Sequence, residues 1–230
     1  MCCLSSLNLE YYDDWKDSEL FLRDVAEMLD NVLQYFIDNA PDSISRARYS
    51  ASMERSIGVG ALGFHAFLQK NNVAFEGVMA KVLNNKIFKH IRGKLDEANL
   101  QLGSERGEAP DAVGTGKRFS HMLAIAPNAS SSIIMGNTSP SIEPYRANAY
   151  RQDTLSGASL NKNKWLDRII KGLTQTETEY NDVWSSIIAN DGSCQHLDIL
   201  DDWQKDVFKT GMEIDQRWVI QHAADRQEFI

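Results

Sequence analysis

Three cysteines, five prolines and no apolar run of membrane-spanning length set the first limits on this 230-residue sequence. A disulfide scaffold does not fit, because Cys2, Cys3 and Cys194 cannot all pair and show no metal-ligand spacing. The five histidines are scattered with none at i,i+4 from another, so no metal site is expected. Nothing approaches the ~20 consecutive apolar residues of a transmembrane helix, so no membrane partner is expected. The start, Met1-Cys2-Cys3-Leu4, has neither a basic n-region nor a clean apolar h-region. A secretory signal is therefore not expected, and a cytoplasmic location is. Basic residues are also short, 24 against 32 acidic ones, for a net charge of -8. That balance argues against a nucleic-acid partner, which calls for a basic face. It leaves room for a small anion, which backbone amides can bind without net positive charge.

What is present reads as helix-rich α/β. Cys3 to Leu9 mixes small polar and apolar residues and reads as a short buried strand. Asp17 or Ser18 then caps a helix carrying Leu20, Val25, Met28, Leu29, Val32, Leu33 and Phe36 at helical spacing. That helix stops before Pro41, because a residue preceding proline avoids the α region. Gly58, Gly60 and Gly63 fit neither G-x-G-x-x-G nor a P-loop, and read as a helix pressed closely against neighbours. A third helix is expected from about Val78 to Leu102, with Val82, Leu83, Ile87, Ile91 and Leu95 inward and Gly103 and Gly107 ending it. In the C-terminal third, helices are expected from Thr176 to Ala189, from near Asp201, and through Ile214, Trp218, Val219 and Ile220. The acidic pairs Asp13-Asp14 and Asp201-Asp202 read as helix N-terminal charges.

The most informative stretch is Met122-Leu123-Ala124-Ile125-Ala126, an apolar run of the buried-strand type. It passes at once into Pro127, Asn128, Ala129, Ser130 and Ser131. A helix starting near Ser131 would aim unpaired amides and a positive dipole end at an anion, naturally a phosphate or diphosphate. The same residues also suit an ordinary Ser/Asn-rich helix cap with nothing bound, and spacing alone leaves both readings open. The five tryptophans read as packing, and His196 has no assigned catalytic role.

Taken in order, the motifs resemble the C-terminal half of the large subunit of class I ribonucleotide reductases. Cys2-Cys3-Leu4-Ser5-Ser6-Leu7-Asn8-Leu9 is similar to the family's Cys-x-Leu-Ser-x-x-Asn-Leu segment. Arg55-Ser56-Ile57-Gly58-Val59-Gly60 resembles an Arg-x-x-Gly-type helix start, and Arg118 through Ser131 the strand and phosphate loop ending Pro-Thr-Ala-Ser-Thr. Ser141 to Tyr145, Thr154 to Gly157, Asp215 to Trp218 and Ala223 to Arg226 continue the match in order. Phe119 and Asn128 depart from the commoner family residues, and Cys194 matches no family redox cysteine.

The resemblance implies part of a ten-stranded α/β barrel, helix-rich, in which residues 1–230 make a partial catalytic barrel domain. It implies an enzyme, reducing ribonucleoside diphosphates at the ribose 2′-carbon by thiyl-radical chemistry. Cys2 would be one thiol of the redox-active disulfide, its partner lying upstream, and Pro127, Asn128, Ala129, Ser130 and Ser131 would hold the substrate diphosphate. No cofactor is implied on this chain: a small subunit with a dimetal centre supplies the radical, and thioredoxin or glutaredoxin the electrons. The radical cysteine would precede Met1, and the radical-relaying tyrosines and cysteine-bearing tail would follow Ile230. A split subunit completed by an N-terminal partner is the expected arrangement. The alternative is an inactive helical interaction protein that retains the fold.

Overall fold

The computed structural model describes residues 3–154 and 157–230. Cys2, and Leu155 and Ser156 of the 154–157 block, lie outside the described residues. In chain order the elements are β1 (Leu4–Asn8), α1 (Tyr12–Trp15), α2 (Phe21–Asn39), α3 (Ser45–Glu54), β2 (Gly58–Leu62), α4 (Phe64–Lys70) and α5 (Val78–Arg106). There follow α6 (Ala129–Ile134), β3 (Ala149–Thr154), β4 (Gly157–Lys162), α7 (Lys164–Leu173), α8 (Glu177–Ala189), α9 (Asp202–Val207) and α10 (Gln216–Arg226). β1 pairs with β2, and β3 with β4. Two compact units result: one of Met1–Ala61, Asn84–Pro127 and Asp225–Ile230, the other of Leu62–Leu83 and Asn128–Ala224.

In the first unit α2 buries Leu22, Ala26, Leu29 and Leu33, a stripe at three- and four-residue spacing. Met28 and Val32, expected on that face, are exposed, because the helix carries apolar residues beyond one stripe. The helix does end at Asn39, ahead of Pro41. The Gly58–Gly60 segment corrects the helix expectation: it is the fully buried strand β2. Its glycines serve close approach, as expected, but within a sheet. A Cβ on Gly60 would overlap the carbonyl oxygen of Ala124 and lie 3.0 Å from Ser6 Oγ. Residues 122–126 do not make a strand of their own; Leu123 forms a single parallel bridge with Val59. Met122 and Leu123 are buried, whereas the three residues after them are half-buried. Helix α5 runs past the expected end, through Gly103, to Arg106, and Gly107 follows with φ +87°.

The second unit has its core on α7, α8 and the chain beyond: Leu166, Ile170, Trp184, Ile187, Cys194, Leu200, Val207 and Phe208. Asn163 caps α7 by accepting the amides of Trp165 at 3.0 Å and Leu166 at 3.3 Å. α8 starts where expected, with Thr176 and Glu179 in a capping box, and α9 likewise with Asp201 and Gln204. α10 begins at Gln216, so Ile214 precedes it. The antiparallel hairpin β3–β4, from Ala149↔Lys162 to Thr154↔Gly157, lies where the sequence pattern marks no element.

Candidate functional site

The turn that follows residue 126 is built from local chemistry. Asn128 takes a left-handed conformation, φ 53° and ψ 32°, which asparagine tolerates better than most residues. Helix α6 then starts at Ala129, two residues before the expected Ser131. The first intrahelical bond is Ser132 N–H to the Asn128 carbonyl at 3.0 Å. The amides of Ala129, Ser130 and Ser131 therefore precede the helix's own hydrogen-bond ladder. Asn128 stands at the N-cap but its side chain makes no capping hydrogen bond. Pro127, Ala129, Ser130 and Ser131 are exposed and Asn128 is half-buried, whereas Ser132 is buried with its hydroxyl donating to the Ala129 carbonyl at 2.9 Å.

Within the second unit a cavity of ≈ 930 Å³ is lined by Ala129, Ser132 and Ile133 of α6, and by Tyr145, Arg146 and Met212 among others. Pro127, Asn128, Ser130 and Ser131 do not line it.

Cys2, the proposed redox thiol, lies outside the described residues. Its neighbour Cys3 is buried and donates its thiol to the Leu29 carbonyl at 3.4 Å. Cys194 is also a buried free thiol, pushed up to about 12 by burial and then by the Glu213 charge. The histidines stay apart. His65 is buried in the second unit, His90 accepts or donates to Tyr12 Oη at 3.0 Å, and His196 meets Ser186 Oγ at 2.7 Å. Among the described residues no group of His, Cys, Asp or Glu is arranged to hold a metal ion. Among them, too, no helix is long and apolar enough to cross a membrane.

No local sequence pattern marks Asp30. This fully buried carboxylate in α2 receives Arg55 Nη2 at 2.5 Å, Arg118 Nε at 3.1 Å and Arg106 Nη1 at 3.0 Å. Burial by itself would raise its pKa, but the hydrogen bonds and charges of these arginines hold it below the ordinary carboxylate range. One of four acids in an amphipathic helix, beside Asp24, Glu27 and Asp38, gives little warning of this; only the three distant arginines do.

The family described as "Ribonucleotide reductase, barrel domain" matches residues 1–115 and 111–230. The chain is 60% identical over 232 residues to the ribonucleoside-diphosphate reductase large subunit of Invertebrate iridescent virus 6, covering 100% of this chain and 24% of that one. It is 56% identical to the protein of the same name from Invertebrate iridescent virus 3, covering 100% of this chain and 36% of that protein. Among solved structures, the class Id ribonucleotide reductase alpha subunit of Actinobacillus ureae matches with a TM-score of 0.90 and 42% identity. That match covers 100% of this chain and 42% of the alpha subunit. The chain thus spans less than half the length of each of these relatives.

Proposed function

This chain belongs to the ribonucleotide reductase barrel-domain family, and from that premise we propose that it is part of the catalytic barrel of a ribonucleoside-diphosphate reductase large subunit. The whole of 1–230 forms one partial barrel domain in this reading. When completed by the rest of the subunit it reduces ribonucleoside diphosphates to deoxyribonucleoside diphosphates in the cytoplasm, for DNA replication. The radical comes from a small subunit with a dimetal centre. Thioredoxin or glutaredoxin restores the reduced thiols.

Pro127, Asn128, Ala129, Ser130 and Ser131 cradle the substrate diphosphate. The observation that carries this role is the start of α6, where three amides precede the helical ladder beneath an N-cap that makes no side-chain capping bond. Anions are favoured there by the unpaired donors and by the helix dipole. Cys2 supplies one thiol of the redox-active pair, and its partner cysteine comes from the rest of the subunit. The burial of Cys3 and Cys194 supports this choice, since neither thiol is exposed for exchange.

The test is turnover by the reconstituted complex of this chain, the remainder of the large subunit and the small subunit. Cys2→Ser abolishes thioredoxin-dependent multiple turnover while assembly is intact. Ser130→Ala and Ser131→Ala raise the KM for the nucleoside diphosphate. Normal multiple turnover in Cys2→Ser removes the redox assignment, and an unchanged KM in both serine variants removes the cradle. A complex that assembles but reduces nothing would point to an inactive protein that retains the fold.

A further inference from the structure

Two chain segments of the first unit run side by side on the way to Pro127. Ser120 N–H donates to the Glu54 carbonyl at 3.1 Å, and Ile57 N–H to His121 O at 3.0 Å. Val59 N–H donates to Met122 O at 2.7 Å, and Ala124 N–H to Val59 O at 3.2 Å. The hydroxyls of Ser56 and Ser120 meet at 2.9 Å. This ladder fixes residues 57–59 against 121–124, three positions short of Pro127.

Each segment carries an arginine where the ladder begins, Arg55 on one and Arg118 on the other, and both converge on Asp30. Arg118 Nε lies 3.1 Å from each Asp30 oxygen, while its Nη1 donates to the carbonyls of Arg106 and Gly107 at 2.9 and 3.1 Å. Arg55 Nη1 donates to Gln34 Oε1 at 2.8 Å, and its Nη2 reaches Asp30. The Asp30, Arg55 and Arg118 side chains are only 1%, 7% and 10% exposed. Arg55 also holds a left-handed backbone, φ 48° and ψ 34°, which a residue with a side chain adopts only where its surroundings determine it. One buried carboxylate thus ties the starts of both segments to α2 and to the end of α5. A hub of this kind fixes geometry rather than adding much net stability.

We propose that Asp30 is a positioning residue for the phosphate loop: through Arg55 and Arg118 it sets the register of 57–59 on 121–124, and hence the backbone from which Pro127 leads into Asn128. This rests on the reading of residues 127–131 as a diphosphate cradle. Asp30 touches no reacting atom, so its loss acts on substrate binding before chemistry.

The experiment uses the assembled reductase with Asp30→Asn and, separately, Arg118→Lys. Because Asp30→Asn strands three guanidiniums and can fail to fold, Arg118→Lys, which keeps the charge but loses the forked contact, suffices alone. The expected result is a KM for the nucleoside diphosphate raised about tenfold, with kcat within about twofold of the parent. Backbone hydrogen exchange speeds up at the Val59 and Ala124 amides in the same variant. A lowered melting temperature with unchanged KM, or unchanged exchange at those two amides, overturns the proposal. If instead the parent enzyme binds diphosphate away from Ser130 and Ser131, the cradle reading fails, while the exchange data still decide whether Asp30 sets the ladder.

Discussion

His65 Nδ1 accepts the backbone N–H of Tyr145 at 2.9 Å, with the imidazole fully buried. A nitrogen that accepts carries no hydrogen, so the proton sits on Nε2, which lies 3.3 Å from Gln69 Nε2, and a hydrogen bond involving the Val207 backbone favours the charged ring. Burial pushes the imidazole down to about 3, opposed only in part by that bond. In the unfolded chain the same group titrates near 6.5, so between those values the unfolded state binds the extra proton. Stability from this site is whole above that window and is lost as pH falls through it. His65→Gln keeps an acceptor and removes the slope. Urea unfolding at about pH 7 and about pH 4.5 should show a smaller loss in the variant than in the parent. Equal losses would place the acid sensitivity elsewhere.

Two glycines of α5 should respond to alanine in opposite directions. A Cβ on Gly103 would overlap the Gly116 carbonyl oxygen and lie 3.1 Å from the Arg118 amide, whereas a Cβ on Gly93 meets nothing within 4 Å. Gly93→Ala therefore gains roughly the helix-propensity difference, about 1 kcal/mol. Gly103→Ala forces two backbones apart and loses ~2 kcal/mol or more. Thermal unfolding of the two variants checks this. A melting temperature raised by Gly103→Ala would mean that α5 does not approach the 116–118 turn.

Where a signal is local, the sequence carried it. The Thr176 and Asp201 caps, the stop before Pro41 and the small polar turn at 127–131 are all read within a few residues, and their start or stop positions need no distant partner. Gly58–Leu62 is a run of small apolar residues with no period; what makes it a strand is the backbone of residues 121–124, far along the chain. The hairpin β3–β4 gave no warning because Tyr150 and Leu160 are exposed and no alternation of apolar and polar residues marks a buried face. Helix α3 buries only Ala51, so it too lacks a stripe. Helix α7 is different: Asn163 followed by Trp165, Leu166, Ile169 and Ile170 is a local cap and apolar face.

The two capping boxes should be worth measurable stability. Thr176 Oγ1 accepts the Glu179 amide at 3.2 Å while Glu179 Oε2 accepts the Thr176 amide at 3.2 Å. Asp201 Oδ1 accepts the Gln204 amide at 2.7 Å, with Gln204 Oε1 returning a bond to the Asp201 amide at 3.0 Å. Thr176→Ala and Asp201→Ala each remove one acceptor and should cost ~1 kcal/mol in denaturant unfolding. Serine at position 176 restores the acceptor and most of the loss. If Thr176→Ala were neutral, the box would contribute nothing in solution.

The three thiols should separate by reactivity, because the thiolate is the nucleophile and burial suppresses it. Cys194 is pushed up to about 12, and its sulfur lies among Asn148, Gln195 and the Phe208 carbonyl. Cys3 spends its hydrogen on the Leu29 carbonyl and is buried at the foot of β1. Neither should react with iodoacetamide while the chain is folded. Cys2 should react, if it is the thiol that exchanges with an external reductant. Alkylation of the folded chain at mildly alkaline pH, followed by peptide mass mapping, should find the label on Cys2 alone, with Cys3 and Cys194 modified only after denaturation. Label on Cys3 at a rate matching Cys2 would mean that the first strand opens readily, and the redox role could then no longer be assigned to one cysteine of the adjacent pair.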